Sequence, residues 1–455
     1  MQRIGIIGAG LSGRLVALNL LRNATSKASV EIVMIDRADE DFMGPAYSRD
    51  SDYLLLNVPA GIMGAFSEDP EHFLKWCWER KRHADRWDFL PRVFYRDYIL
   101  TLMHEAVRAR TEGTEFQQLR GEVIDIDITG VQITLRVADK GPVIVDKAVL
   151  ALGNFPPRHP PTKNRFALES KHYVRNPWDN DALDALSPRD AVFLVGTGQT
   201  MVDLVVALRR RAHKGRIVAL SRHGLLPMAH RRFETYASFY KEIEDSKTVL
   251  EILRTVRRHF ERAEAMGADR RAVIDALRPD TQTIWINLSD DEKRRFLRHL
   301  FRYWEIIRSR IPPESEAAMD GMRASGQLDI LTGKIQDLVE TDVGMEVHYV
   351  LRGEAGYKVA RAGLVFNCIG PELDYRRIDE PLVKNLMAKG LIRPGPAQLG
   401  IDSRPNGRII RRSGAASNVM YTLGSTMRGV LWEVLAVPEI RVQAEQLALR
   451  LIGDK

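Results

Sequence analysis

The sequence predicts an α/β fold in which one structural unit occurs twice, with a helical insertion in the second copy. RIGIIGAGLSG (residues 3–13) reads as an apolar strand, a glycine-rich turn and the start of a helix, and AVFLVGTGQTM (191–201) repeats that order. Each copy is followed by short alternating strands and then by an apolar strand that ends in glycine. Two such units account for most of a 455-residue chain.

The repeat also predicts how the chain divides into domains. We expect a first domain of residues 1–155 and 360–455, with the later segment returning to complete it, and a second domain of residues 156–359. Within the second domain, residues 228–325 carry apolar residues at i, i+3 and i+4 spacing, which predicts helices. This insertion is expected to form either a lid over a substrate or a packed helical layer.

The first glycine-rich turn has the spacing of a dinucleotide-binding site. Gly8 permits a tight turn, Gly10 lets a pyrophosphate approach the backbone, and Gly13 lets the helix pack closely on the strand. Ser12 lies within the same turn. The phosphates would face the positive end of the helix that follows.

An acidic residue at the end of the second strand identifies the nucleotide more closely. VEIVMID ends at Asp36, and Arg37 follows. A carboxylate at this position binds ribose hydroxyls and repels a 2′-phosphate, so FAD or NAD fits and NADP does not. The position early in the chain favours FAD. We expect a backbone contact to adenine at Val123, and we expect Ala151 and Gly153 to close the unit.

The second glycine-rich turn is less complete than the first. Gly196 and Gly198 repeat the first two glycines, Gln199 and Thr200 open the helix, and Met201 stands where a third glycine would be. These residues predict a second dinucleotide site because the strands around them repeat the first unit.

The strand after that turn ends without an acid. RIVALSRHG places Ser221 and Arg222 at the position that Asp36 holds in the first unit. A hydroxyl and a guanidinium suit a 2′-phosphate, so NADPH is favoured, with NADH as the alternative if Arg222 is only a solvated surface residue.

Composition excludes several other classes of protein. Cys77 and Cys368 are far apart, so no C-x-x-C pair is present to act as a redox-active dithiol.

The net charge of +7 comes from basic residues interspersed with acidic ones. Binding of two anionic nucleotides explains this positive charge better than binding of nucleic acid does. The sequence shows no run of about 20 apolar residues, and we expect a cytoplasmic protein with no membrane span. His230, His259 and His299 lack metal-ligand spacing, so no metal site is expected.

The motifs taken together resemble a known family, the FAD/NAD(P)-binding, flavin-monooxygenase-like proteins, which include proposed FAD-dependent urate hydroxylases. The matching segments are GAGLSG (8–13), GPAYSRDSDYLLLNVPAGIMGAF (44–66), FLPRVFYRDYI (89–99), GTGQTMVDL (196–204), LSRHGLLPMAH (220–230), FLRHLFRYWEIIRSRIPP (296–313), NCIGPELDY (367–375) and TLGSTMRGVLWEVLAVPEIRVQA (422–444). The resemblance implies a flavin-reductase or monooxygenase type of fold with FAD and NAD(P)H. Met43 and Gly64 depart from the residues that the family often has at those positions.

Two segments are expected to form the walls around the flavin ring, residues 44–66 and 424–437. Asn57, in LLLNVPAG, is a candidate catalytic residue because its amide can hydrogen-bond a flavin or a nicotinamide. The alternative is that Asn57 caps a loop.

The later wall reads as a loop that leads into a helix. Its backbone N–H groups would stabilise negative charge on a reduced flavin. Arg428 is the second candidate catalytic residue, and Gly424, Gly429 and Val430 are expected to contact the cofactor.

These features predict an FAD-dependent, NAD(P)H-utilising monooxygenase. NADPH would reduce FAD, O2 would form a flavin C4a-(hydro)peroxide, and one oxygen atom would pass to a small-molecule substrate. The sequence leaves open whether nitrogen or carbon is hydroxylated, as well as the oligomeric state. The alternative is an NAD(P)H-dependent flavin reductase or dehydrogenase that passes electrons to a partner or quinone. A third hypothesis is a flavin-bound redox sensor without turnover.

Overall fold

A computed structural model describes residues 1–47, 52–178 and 180–453. The strands, numbered in chain order, are β1 (Gln2–Ile7), β2 (Val30–Asp36), β3 (Glu115–Arg120), β4 (Val123–Thr129), β5 (Gln132–Val137), β6 (Val143–Val145), β7 (Lys147–Leu150), β8 (Tyr173–Val174), β9 (Val192–Val195), β10 (Ile217–Ser221), β11 (Leu328–Thr341), β12 (Gly344–Leu351), β13 (Lys358–Ala362), β14 (Leu364–Asn367), β15 (Arg408–Ile410) and β16 (Ala416–Thr422).

The α-helices are α1 (Leu11–Asn23), α2 (His72–Glu79), α3 (Arg92–Arg108), α4 (Asn180–Asp184), α5 (Gln199–Arg210), α6 (Val249–Ala265), α7 (Arg270–Ala276), α8 (Thr281–Asn287), α9 (Asp290–His299), α10 (Phe301–Arg308), α11 (Pro313–Ala324), α12 (Pro381–Lys389), α13 (Arg428–Leu431) and α14 (Val437–Gly453). No helix in these described ranges combines the length and the apolar character needed to cross a bilayer.

The first sheet has six strands in the order β15-β16-β7-β1-β2-β3. β1 pairs in parallel with β2 and β7, and β16 joins the other edge of β7, also in parallel. The apolar run of β1 is buried, with Ile4 and Ile6 fully inaccessible, as expected for a central parallel strand. α1 and α14 pack together in the core on one side of this sheet. β15 and β16, from late in the chain, therefore belong to the same sheet as β1.

The second sheet has seven strands in the order β13-β12-β11-β10-β9-β14-β8. β10, β9, β14 and β8 run parallel to their neighbours, whereas β11, β12 and β13 continue as an antiparallel meander. β14 (Leu364–Asn367) belongs to this sheet because it pairs with β9. The chain leaves the sheet after Asn367, several residues beyond the predicted boundary at 359.

The helices α6 to α11 lie between β10 and β11, where the insertion was predicted. α6 begins at a capping box, in which the Thr248 hydroxyl accepts from Glu251 N–H and the Glu251 carboxylate accepts from Thr248 N–H. Trp285 of α8 stacks on Trp432 with 4.6 Å between ring centroids, so the insertion packs against the segment after β16. Two parallel-stranded α/β units, each opened by a strand, a glycine turn and a helix, confirm the predicted fold class.

Candidate nucleotide sites and the cleft between them

The first glycine turn has two positions that the fold requires to be glycine and one that it leaves free. Gly8 has φ +108°, and a Cβ there would overlap the carbonyl oxygen of Ala151. A Cβ on Gly13 would overlap the Gly8 carbonyl oxygen, because the first turn of α1 lies directly on the strand. A Cβ on Gly10 would be 3.7 Å from its nearest neighbour, the Met43 carbonyl oxygen. The room at Gly10 fits a pyrophosphate at this turn.

Gly10 also begins α1 without a side-chain cap. The first backbone N–H groups of the helix thus have no side-chain acceptor and remain available to an anion. Arg14, which sequence reasoning missed, lies in the first turn of the same helix and donates from Nε to the Ala9 carbonyl at 2.9 Å. Its side chain is buried, and burial lowers its pKa despite the nearby carboxylates of Asp41 and Asp36. An arginine directly after the third glycine was the signal in the sequence.

Asp36 lies beside this turn, as predicted. Its Oδ2 accepts from Ala9 N–H at 2.7 Å and its Oδ1 from Ala38 N–H at 2.9 Å. These bonds hold the carboxylate at the carboxyl end of β2, where a ribose binds in this type of fold. Arg37 is exposed and pairs with Glu380 at 3.2 Å, so its side chain forms a surface ion pair.

Val123 and Gly153 lie near the carboxyl ends of the strands of the first sheet, although Val123 itself begins β4, which forms a separate three-stranded sheet with β5 and β6. Gly121 N–H donates to the Asp36 carbonyl at 2.7 Å, which brings the start of β4, with buried Val123, next to the end of β2. The Ser425 hydroxyl donates to the Gly153 carbonyl at 2.7 Å. The structure therefore brings the predicted adenine contact and the exit from β7 to one end of the sheet.

The loop after β16 returns to the start of α1. A Cβ on Gly424 would be 2.8 Å from the Ser12 hydroxyl oxygen, so these two residues are in direct contact. Gly424 N–H donates to Gln443 Oε1 of α14 at 2.9 Å. Gly429 and Val430 are buried just beyond. The residues predicted to hold FAD thus converge from two distant parts of the chain, and their free N–H groups and open turn fit that cofactor.

The second glycine turn repeats the division of roles seen in the first. Gly196 has φ +117°, and a Cβ there would be 2.5 Å from the Cys368 carbonyl oxygen. A Cβ on Gly198 would meet nothing within 4 Å, and Gly198 begins α5 without a side-chain cap. Met201 is fully buried in the apolar core under the helix, which explains why a third glycine is not needed here.

Gln199 and Ser221 make internal hydrogen bonds. Gln199 Nε2 donates to the Arg310 carbonyl of the insertion at 2.9 Å, and Thr200, next to it, is half-buried. The Ser221 hydroxyl oxygen accepts from the Thr197 hydroxyl at 2.9 Å and from Gly224 N–H at 3.0 Å. Ser221 therefore holds the turn after β10, a role that the sequence did not indicate.

Arg222 lies at the end of β10 as a cation without a nearby carboxylate. Its guanidinium is exposed and forms no ion pair with any residue of the described ranges. Partial burial lowers its pKa, and the positive charges of Arg302 and Arg158 lower it further. Arg222, Arg158 and Arg302, the last of which also pairs with Glu305 at 2.6 Å, leave net positive charge where a 2′-phosphate was predicted.

Asn57 connects the first unit to the insertion. His230 Nε2 lies 3.1 Å from the Asn57 carbonyl oxygen, and its ring lies 4.8 Å from that of Phe89. Burial lowers the pKa of His230 to about 4, so the ring is neutral at pH 7 and donates from Nε2. Sequence reasoning considered His230 only as a metal ligand and missed this contact. Residues 48–51 of the predicted wall 44–66 lie outside the described residues.

Arg428 points toward the insertion. Its guanidinium carbon lies 4.6 Å from the Trp432 ring centroid and 5.6 Å from that of Phe301. Its Nε is buried without a hydrogen-bond partner in the described chain. Burial lowers the pKa of Arg428, and the charges of Glu305 and Glu433 only partly oppose that effect.

Trp432 has a strained backbone just after the predicted flavin loop. Its φ is +64° and its ψ is −65°, and Glu433 N–H donates to the Leu431 carbonyl at 2.8 Å, which defines a γ-turn. Such a conformation costs about 1–3 kcal/mol and persists where the surroundings fix it. Here Trp285 stacks on the ring of Trp432 and donates from Nε1 to the Gly429 carbonyl at 2.8 Å.

Comparisons with known proteins agree with this geometry. Residues 5–155 match the family model described as FAD-NAD(P)-binding. The chain carries an FAD-NAD(P)-binding domain. The Escherichia coli (strain K12) protein YdhS is 24% identical over 265 residues, which is 50% of this chain and 47% of YdhS. The chain therefore spans about half the length of this curated relative.

Beyond the FAD-NAD(P)-binding domain, solved structures share the fold of the whole chain. An ornithine hydroxylase from Pseudomonas aeruginosa has a TM-score of 0.67 at 14% identity, and the match covers 99% of both chains. The Kutzneria sp. 744 ornithine N-hydroxylase, solved with reduced FAD, NADP+ and L-ornithine, has a TM-score of 0.67 at 12% identity and covers 100% of this chain and 99% of its own. L-lysine 6-monooxygenase from Pseudomonas syringae has a TM-score of 0.67 at 14% identity and covers 99% of both chains.

These matches confirm the predicted fold class, and the match over residues 5–155 agrees with the FAD/NAD(P)-binding part of the predicted resemblance. The FAD-NAD(P)-binding domain supports the prediction of FAD and a nicotinamide nucleotide as cofactors, and of a flavin-dependent oxidoreductase. The domain boundaries and the individual site residues stay predictions.

Proposed function

We propose that this protein is an NADPH-dependent flavin monooxygenase that hydroxylates a small molecule. The observation that carries the proposal is the presence of two nucleotide turns, each with a glycine position that the fold leaves open and a helix that begins without a side-chain cap. One turn lies in the FAD-NAD(P)-binding domain, and the fold of the whole chain is that of amine-hydroxylating monooxygenases.

The residues divide into those that hold each nucleotide. Gly8, Gly10 and Gly13, the first N–H groups of α1 and Asp36 would bind the pyrophosphate and ribose of FAD. Bound FAD supplies the reaction with O2 and the transfer of one oxygen atom. Gly198 and the first N–H groups of α5 would bind the NADPH pyrophosphate.

The outer parts of the site select the nicotinamide nucleotide and exclude water. Arg222, with Arg302 and Arg158 nearby, would bind the 2′-phosphate of NADPH in preference to NADH. Asn57, held by His230, and the loop around Gly429 would orient the reacting rings.

The cysteines support oxygen chemistry over thiol chemistry. Cys77 and Cys368 are both buried, and burial raises the pKa of the Cys77 thiol to about 11 and that of Cys368 further still. Neither thiol is therefore suited to react beside a flavin.

The proposal is tested on the purified holoprotein. Its bound flavin is extracted and identified, and NADPH oxidation is followed together with O2 uptake and hydrogen peroxide release while small amines and purines are added. A monooxygenase couples one NADPH and one O2 to one oxygenated product. Electron transfer to a quinone or carrier protein with no oxygenated product would instead establish a reductase.

A further inference from the structure

Arg428 differs from its neighbours Arg302 and Arg308, which both form ion pairs. Arg302 pairs with Glu305 at 2.6 Å, and Arg308 pairs with Glu433 at 2.8 Å. Arg428 has no carboxylate within 4.0 Å among the described residues, although Glu305 and Glu433 influence it from further away. Since both of these acids are already bonded to an arginine, the group carries one positive charge in excess.

The next charged residues do not remove that excess. Arg278 pairs with Glu439 at 3.0 Å, and Arg310 makes a two-pronged bond with Asp275 at 2.9 Å. Each of these pairs is neutral as a unit. These ion pairs therefore leave the charge of Arg428 unbalanced, and buried Lys293, whose Nζ lies 5.7 Å from the Trp285 ring centroid, adds a further cation to the same aromatic cluster.

The surroundings of Arg428 are apolar and fixed. Phe301 and Trp432 lie beside its guanidinium, and their own rings are 5.5 Å apart at 81°. The backbone at Trp432 is held in a γ-turn, and Trp285 stacks on its ring. Arg428 as a residue is only partly exposed, and its Nε is buried without a partner among the described residues. An unpaired, partly desolvated cation with aromatic walls favours an anionic ligand group on an apolar body.

Arg428 is also close to the chemistry assigned to this site. It begins α13, one residue before Gly429 and four residues after Gly424, which contacts Ser12 at the first nucleotide turn. A ligand bound at Arg428 would lie between this loop and α10 of the insertion. In that arrangement Phe301 of the insertion would form one wall of the binding site.

We propose that Arg428, with Phe301 and Trp432, forms a subsite that binds an anionic group of the substrate, such as a carboxylate or an enolate on an apolar body. This inference rests on the proposed function, because it assigns the substrate class of the same site. It separates substrates with a negative charge from simple diamines, which the subsite would repel.

The test uses benzoate and benzamide as probes, since they have the same shape and differ in charge. Each is titrated into the FAD-loaded protein, and binding is followed by tryptophan fluorescence and by the flavin absorbance spectrum. We expect benzoate to bind at least tenfold more tightly than benzamide. Arg428→Met should abolish this preference, and Arg428→Lys should retain part of it. The control, Arg294→Met, removes an exposed arginine of α9 and should leave the preference unchanged.

Each other outcome contradicts the subsite. Equal affinity for the two probes in the wild-type protein, including no binding of either, would overturn it, and this comparison does not depend on any variant folding. Retention of the preference in Arg428→Met would also overturn it. A folded Arg428→Met protein that no longer retains FAD would assign Arg428 to the flavin instead of the substrate. Benzoate preference without coupled oxygenation would leave the anion subsite intact while refuting the monooxygenase.

Discussion

Replacement of Gly10 by alanine should distinguish a glycine that is needed for FAD binding from one that is needed for folding. A Cβ at this position would have 3.7 Å to its nearest neighbour, whereas a Cβ at Gly13 would overlap a backbone carbonyl oxygen. Both positions belong to the same turn and the same helix. Gly10→Ala and Gly13→Ala therefore form a matched pair in which only one substitution collides with the protein itself.

The expected stability changes follow from these contacts. An alanine at the N-cap destabilises the helix by about 0.5–1 kcal/mol relative to glycine. Alanine also lowers the conformational entropy of the unfolded chain, which stabilises the folded state by about 0.4–1 kcal/mol. Gly10→Ala should therefore leave the melting temperature of the FAD-free protein almost unchanged. Gly13→Ala overpacks the contact between α1 and β1 and should cost about 1–3 kcal/mol. For a chain of 455 residues, an unfolding entropy of about 2.1 cal/mol/K per residue makes that about 1 °C for each kcal/mol.

FAD binding, unlike stability, should be strongly affected by Gly10→Ala. A methyl group there faces the space assigned to the pyrophosphate, so we expect FAD affinity to fall at least tenfold, or about 1.4 kcal/mol. FAD-stripped protein is titrated with FAD while flavin fluorescence is recorded, and thermal unfolding is measured on the same samples. Gly198→Ala serves as a control, since it should weaken NADPH binding and leave the affinity for FAD unchanged.

Two results would refute this reasoning. If Gly10→Ala protein binds FAD with wild-type affinity, the pyrophosphate does not approach the backbone at this residue. If Gly13→Ala protein is as stable as the wild type, the close contact between α1 and the turn is not rigid.

Three further predictions concern other parts of the site. Arg222→Ala should weaken NADPH binding by about 1–3 kcal/mol and leave NADH binding nearly unchanged, as measured by the KM for each nucleotide. Equal losses of affinity for NADPH and NADH would exclude a contact between Arg222 and the 2′-phosphate. Trp285→Phe removes the hydrogen bond from the indole Nε1 to the Gly429 carbonyl and should lower the free energy of unfolding by about 0.5–1.5 kcal/mol, as measured by urea unfolding. An unchanged urea midpoint would show that this hydrogen bond does not stabilise the fold. Burial lowers the pKa of His230 in the folded protein to about 4, below its usual 6.5, so the unfolded state binds more protons and the free energy of unfolding should fall as the pH drops from 6.5 toward 4. His230→Gln, which can still donate to the Asn57 carbonyl, should lessen that fall. If the variant and the wild type lose stability equally over this pH range, His230 is not the titrating group.

The parts of the site that depend on local sequence could be predicted. Gly8, Gly10 and Gly13 lie in one strand–turn–helix segment, and Asp36 ends the next strand along the chain, so their spacing was sufficient to place them together. The return of the chain to the first unit was expected from the general organisation of two-dinucleotide enzymes and not from any local sequence signal.

The parts that depend on distant contacts could not be predicted. LVFN of β14 is apolar and reads the same in either sheet, so only its pairing with β9 shows that the second sheet continues past residue 359. Ser221 has the right chemistry for a phosphate, yet Thr197 and Gly224 already bond to its hydroxyl. The isolation of Arg428 depends on which acids of the insertion are bonded to other arginines, and no spacing in the sequence records that.

The position of β16 in the first sheet has a consequence for biosynthesis. The Thr422 hydroxyl donates to the Leu150 carbonyl across 272 residues, and β16 covers the edge of β7. While the ribosome makes the intervening segment, that strand edge stays uncovered, and such edges invite aggregation. The strands of the second sheet, all within residues 173–367, can assemble earlier. The first sheet can therefore be completed only after most of the polypeptide has been made.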